Sequence, residues 1–115
     1  MSSNDKKQIL KNLIKFNKSL KNIKNEISNL NFDSKFELYI ITKNDIKQIL
    51  NRALKENITF KELEEWANLI ECRDDLGFEE EILQEIIFDF ANPEINGLIT
   101  KDKIKTALKE LDMIT

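Results

Sequence analysis

The sequence predicts an all-α fold, a single-domain bundle of about five helices with short connections, and three observations in its 115 residues carry that prediction. Only two glycines and one proline interrupt it, so little in the chain breaks helices. Apolar residues recur at spacings of three and four over most of the length, the period of one helix face. Three threonines, each preceded by isoleucine, stand directly before such runs, where a hydroxyl accepts a hydrogen bond from a free amide of a first helical turn.

By length the chain is one domain, large enough to bury a core without metal or disulfide support. Residues 1–30 are expected to form a basic helix, 31–41 a connector and 42–112 an acidic helical core. In the first segment Ile9, Leu13, Phe16, Leu20, Ile23, Ile27 and Leu30 form an a/d heptad stripe, with the lysines mostly off it. Ser3, Asn4 and Asp5 are its candidate caps. One long helix laid across the domain is the expected form. Three heptads also meet the minimum for a dimerising coiled coil, and a basic membrane-surface helix is a weaker option because the apolar face has no tryptophan. Residues 31–41 lose the heptad and gain aromatic and β-branched side chains, which favour extended backbone. A lone strand would lack a sheet to join. They are therefore read as a connector whose Phe32, Phe36 and Tyr39 dock on the core, or as an early turn of the next helix.

Thr42, Thr59 and Thr100 open the next three boundaries. Asp45 and Glu62 stand three residues after the first two, as in a capping box; Lys103 takes that place in the third, with Asp102 in the first turn to favour the helix dipole. The helix after Thr42 is expected to bury Ile46, Ile49, Leu50, Ala53 and Leu54, and the one after Thr59 to bury Leu63, Trp66, Ala67 and Ile70. A fourth runs from about Glu79 to Ala91 with Ile82, Leu83, Ile86, Ile87 and Phe90 inward, its triplet Glu79-Glu80-Glu81 at the positive end of the dipole. Asn92-Pro93 ends it. After a turn at Asn96-Gly97, the last helix buries Ile104, Ala107, Leu108 and Leu111.

The inventory of reactive groups argues for binding rather than catalysis. The chain has no histidine, which removes Ser-His and Cys-His nucleophilic systems and the usual proton carrier near neutral pH. Cys72 is the only cysteine, so neither an internal disulfide nor a structural zinc site is expected. An unpaired thiol suits a reducing compartment, and with no signal-like segment or membrane-length apolar run a cytoplasmic location is expected. No enzyme activity, cofactor or metal is expected. Residues 92–103 do resemble a calcium loop, with Asn92, Glu94 and Asn96 at the first, third and fifth positions, Gly97 at the sixth and Ile99 at the eighth. The twelfth position, which should supply a bidentate carboxylate, is Lys103. A turn between helices is the preferred reading, a degenerate EF-hand-like module the alternative.

Charge locates the candidate working surface. Residues 1–30 carry seven lysines against two acids, whereas residues 62–94 carry twelve acids against one base, Arg73. Such a field repels nucleic acid, which argues against a helix-turn-helix DNA reader, and attracts basic proteins or cations. With Leu63, Trp66, Ala67 and Ile70 inward, Glu64, Glu65, Asn68 and Glu71 point outward, and Arg73, Asp74, Asp75, Glu79, Glu80 and Glu81 extend the charged stretch. For single residues a structural role competes: Arg73 pairing with a neighbouring acid, or Asp74 or Asp75 capping the helix that follows.

The run ELEEWANLIECRDDLGFE, an amphipathic helix and then ANPEINGLIT resemble small helical bacterial immunity proteins of polymorphic and contact-dependent growth inhibition systems. The resemblance spans Ile40 to Leu111 and rests on Trp66, Ala67, Arg73, Asp74, Asp75, Asn92, Pro93 and Gly97. It implies a protein that neutralises a cognate toxin domain, often a nuclease with a basic cleft, through acids that occupy or shield that cleft; from the charge and the lack of a membrane-length apolar run, no nucleic-acid or membrane partner is expected. The expected site is Glu64, Glu65, Glu71, Arg73, Asp74, Asp75, Glu79, Glu80 and Glu81, on a monomer. The alternative function is a helical adaptor or regulator that dimerises through Ile9 to Leu30.

Overall fold

The computed structural model describes residues 3–29, 39–71, 73 and 75–113, with side chains from Lys6 onward. The elements run α1 (Ser3–Lys15), α2 (Leu20–Ser28), β1 (Tyr39–Ile41), α3 (Lys43–Leu54), α4 (Phe60–Glu71), β2 (Leu76–Phe78), α5 (Glu81–Ala91), α6 (Pro93–Asn96) and α7 (Lys101–Asp112). The mostly helical reading is borne out, but the described residues contain seven helices and a small parallel sheet. Phe32, Phe36 and Leu30 lie outside what is described, as do the side chains of the candidate caps Ser3, Asn4 and Asp5.

The three threonine starts form as the sequence requires. At α3, Asp45 N–H donates to Thr42 Oγ1 at 3.2 Å while Thr42 N–H donates to Asp45 Oδ2 at 3.0 Å. Glu62 N–H and Thr59 Oγ1 (3.0 Å) and Thr59 N–H and Glu62 Oε1 (2.8 Å) repeat this reciprocal box at α4. At α7 the hydroxyl of Thr100 accepts from Lys103 N–H alone, at 3.1 Å. The expected inward faces of α3, α4, α5 and α7 are buried, with only Leu54, Ile82 and Leu108 partly covered.

The long basic helix is the first correction. It breaks after Lys15, where Phe16 adopts φ 48°, and restarts with Ser19 as N-cap, whose hydroxyl accepts from Asn22 N–H. A left-handed phenylalanine is unfavourable by about 1–2 kcal/mol, and tertiary contacts offset it. Phe16 is buried, Arg52 from α3 donates to the carbonyls of Lys15 and Phe16 at 3.1 and 2.9 Å, and its guanidinium lies 5.4 Å from the Phe16 ring centre. Trp66 of α4 donates from Nε1 to the Leu13 carbonyl at 2.9 Å. The Lys15 and Phe16 carbonyls are thereby satisfied, and the Leu13 carbonyl, which also accepts from Phe16 N–H at 3.1 Å, gains a second donor. The stripe faces the chain's own core: Leu13, Phe16, Ile23 and Ile27 are buried and Ile9 and Leu20 partly so.

The second correction is the sheet. Tyr39–Ile41 is extended after all, pairing in parallel with Leu76–Phe78 in the register Tyr39 with Leu76, Ile40 with Gly77 and Ile41 with Phe78. Parallel strands need a crossover, and α3 and α4 supply it. Glu79 N–H extends the ladder by donating to the Ile41 carbonyl at 2.9 Å. α5 consequently starts at Glu81, with Glu80 as an N-cap that makes no side-chain cap bond.

Candidate functional site

The site grows out of the end of α4. Past Glu71 the chain turns through Arg73 and Asp75, both buried, and these two form a bidentate pair: Nε to Oδ1 and Nη2 to Oδ2, each 2.8 Å. Fork-to-carboxylate geometry of this kind is the strong form of an ion pair. It fixes the path of the chain into β2. On the far side, Glu81, Gln84, Glu85 and Phe88 recur at the spacing of one α5 face, and all four are exposed.

Between these walls lies a groove of about 700 Å³. Ile70, Leu76 and Ile87 contribute apolar surface, Glu71, Glu80, Glu81 and Glu85 carry its negative charge, and Arg73, paired with Asp75, lies beside them. Phe88 at the rim is 46% exposed. Among the described residues, none of these four carboxylates has a cationic side chain within ion-pairing distance. Glu71 accepts from the Asn92 amide at 3.2 and 3.3 Å, and the same amide donates to the Phe88 carbonyl at 2.9 Å. Asn92 thus ties the α4 end to the α5 end.

The expected acidic face is therefore not one surface. Glu71, Glu80 and Glu81 come together at the groove. Glu64 instead pairs with Lys61 at 3.4 Å and Glu65 with Lys24 of α2 at 3.7 Å, away from the groove walls. Glu79 turns to the start of α3, where its Oε2 accepts from Lys43 N–H at 3.4 Å, a favourable place for an acid. The outward placement of Arg73 and Asp75 is corrected: the side chains are 1% and 4% exposed and neutralise each other, which is the structural role weighed for Arg73. Asp75 does not cap α5, whose N-cap is Glu80. Asp74 and Cys72 lie outside the described residues. Gln84, Glu85, Phe78 and Phe88 were missed, although 81, 84, 85 and 88 are simply the complement of the inward α5 positions.

The calcium-like loop has a different geometry. Residues 93–96 are helical, Gly97 takes φ 104° where only glycine is comfortable, and Lys103 Nζ donates to the Gly97 carbonyl at 2.8 Å. The lysine at the twelfth position closes the loop with its own charge. Among the described residues, no three Cys, Asp or Glu side chains gather in a metal-holding group.

A second polar cluster links α1, β1 and α3. Asp45, buried, accepts from Lys15 Nζ at 2.6 Å and from the Tyr39 hydroxyl at 3.2 Å besides closing its capping box. Burial pushes its carboxyl up, and the hydrogen bonds from Lys15 and Thr42 outweigh that, holding it below the ordinary carboxylate range. The Asp45 bond raises Lys15, while burial, then the Asp45 charge, raises Tyr39. The depressed acid stabilises the fold above its unfolded pKa and ceases to as pH falls through the folded one; the raised base and phenol do so below their unfolded values and cease to as pH rises through the folded ones. A urea midpoint measured against pH is expected to be flat between about 5 and 9 and to fall on both sides. In Asp45→Asn the acid limb shrinks; an unchanged acid limb would contradict the assignment.

No family model matches the chain, and no curated protein or solved structure shows significant similarity to it.

Proposed function

We propose that this chain is an immunity protein that captures a basic toxin domain, most simply a nuclease, at the groove beside α5, and acts by binding rather than catalysis. One observation carries the reading: Glu71, Glu80, Glu81 and Glu85 line one groove together with Ile70, Leu76 and Ile87, and among the described residues none of the four has a cationic side chain within ion-pairing distance. Grouped like charges repel and add nothing to the fold, whereas they complement a cationic cleft and accelerate its docking. The resemblance carried by Trp66, Arg73, Asn92, Pro93 and Gly97 points to the same class of partner. In this reading the protein is a cytoplasmic monomer, since the heptad stripe that a dimer needs faces its own core. No helix among the described residues is long and apolar enough to cross a membrane.

The test pairs the chain with the product of the reading frame adjoining its gene, which this reading expects to carry the toxin domain. Expression of that domain alone is expected to arrest growth, and co-expression of this chain to restore it. Replacing Glu71, Glu81 and Glu85 by lysine is expected to slow association by at least about tenfold at low salt, with an unaltered circular dichroism spectrum. Growth arrest unrelieved by the native chain would refute the assignment, and an unchanged association rate would remove the groove from it.

A further inference from the structure

The groove has a second property that side-chain charge does not convey: one of its walls is the outer edge of a strand. β2 pairs only with β1 among the described residues, and Glu79 N–H points at β1 through its bond to Ile41. Backbone groups of successive strand residues point to opposite sides. Gly77 therefore faces β1 as Glu79 does, and the N–H and C=O of Phe78 face away from it; all three β2 residues line the groove. An open strand edge is a template for another strand.

We infer that the groove takes an extended segment of the partner protein, carrying lysine or arginine at alternate positions, as a third strand paired to β2. This rests on the proposed capture of a basic partner and specifies how it is held. The dimensions agree. Glu81 and Glu85 are four residues apart on α5, about 6 Å, and a strand repeats same-side residues every ~6.7 Å, so two alternate cations meet the two carboxylates. The apolar side chains between them face away from those carboxylates, and Phe88, on the α5 face that carries them, offers a ring at the groove rim against which a cationic stem packs. A helical segment would meet the same acids but leave the Phe78 backbone groups without a strand partner.

The test uses the full chain, labelled with nitrogen-15, and a capped octapeptide of alternating lysine and valine. Titration is expected to shift the amides of Leu76 to Glu80 and Gln84 to Phe88, and to slow hydrogen exchange at Phe78. The same peptide methylated on alternate backbone nitrogens, on the register that blocks pairing, is expected to bind about tenfold more weakly, the worth of one to two hydrogen bonds. Glu81→Lys with Glu85→Lys is expected to weaken the unmethylated peptide by at least as much. Equal binding of both methylated registers and the parent, an unperturbed Phe78 amide, shifts confined to the Glu64 and Glu65 side, or no binding at millimolar peptide would each overturn the third-strand mode. Toxin neutralisation that survives any of these results would leave the immunity reading standing without it.

Discussion

Asp75→Ala is expected to destabilise the protein by about 3–5 kcal/mol, because it leaves the Arg73 guanidinium buried without its carboxylate. The urea midpoint should fall with little change in slope. The cost arises from removing one partner, not from the net worth of the pair, so replacing both is expected to behave differently. Arg73→Met combined with Asp75→Leu removes the buried charges together and should recover most of the loss. A single-variant cost under about 1 kcal/mol would place the pair in solvent-like surroundings and contradict its burial. The result also disciplines any search for binding residues: loss of partner binding in an Asp75 variant would report the path of the chain into β2, not a contact. Glu81 and Glu85, exposed and without an ion-pair partner among the described residues, are the positions where charge reversal reads binding alone.

Trp66→Ala should be of similar size, about 3–5 kcal/mol. The indole is 1% exposed, and its Nε1–H satisfies the Leu13 carbonyl at the end of α1. Trp66→Phe separates the contributions: most apolar burial stays and the hydrogen bond goes, at an expected cost of about 1–2 kcal/mol beyond the smaller ring. Chemical denaturation followed by far-ultraviolet circular dichroism suits both variants, as the only tryptophan is lost in each. Equal losses for the two would show the hydrogen bond to dominate; a negligible loss for Trp66→Ala would contradict the packing of α1 on α4. Because α4 also delivers Glu71 to the groove, the destabilised variant is expected to hold that wall less firmly.

What was legible in advance was local. Thr42 with Asp45 and Thr59 with Glu62 form the boxes their spacing implies, since the partners lie three residues apart and need no knowledge of the rest of the fold. The buried faces of α3, α4, α5 and α7 follow from period alone. In the site, Glu71, Glu80 and Glu81 are readable as acids, and Glu85 as the outer complement of the inward α5 positions. Asp75 was misplaced because a carboxylate beside other acids looks solvated in one dimension, whereas the guanidinium two residues earlier folds back over it.

The break at Phe16 and the sheet belong to another category. A heptad continues through Phe16 on paper; only Arg52 and Trp66, 36 and 50 residues onward, make a left-handed phenylalanine there tolerable by occupying the α1 carbonyls and covering the ring. Tyr39–Ile41 had the composition of a strand, but its partner is three residues long and centred on a glycine that reads as a turn. The sequence by itself determined where helices start, which faces they bury and that residues 62–94 are overwhelmingly acidic, because caps, periodicity and charge are properties of neighbours along the chain. The tertiary structure alone decided where the first helix breaks, that two distant tripeptides pair, and which four of those acids share a groove with β2, because each depends on contacts between segments whose sequences carry no record of one another.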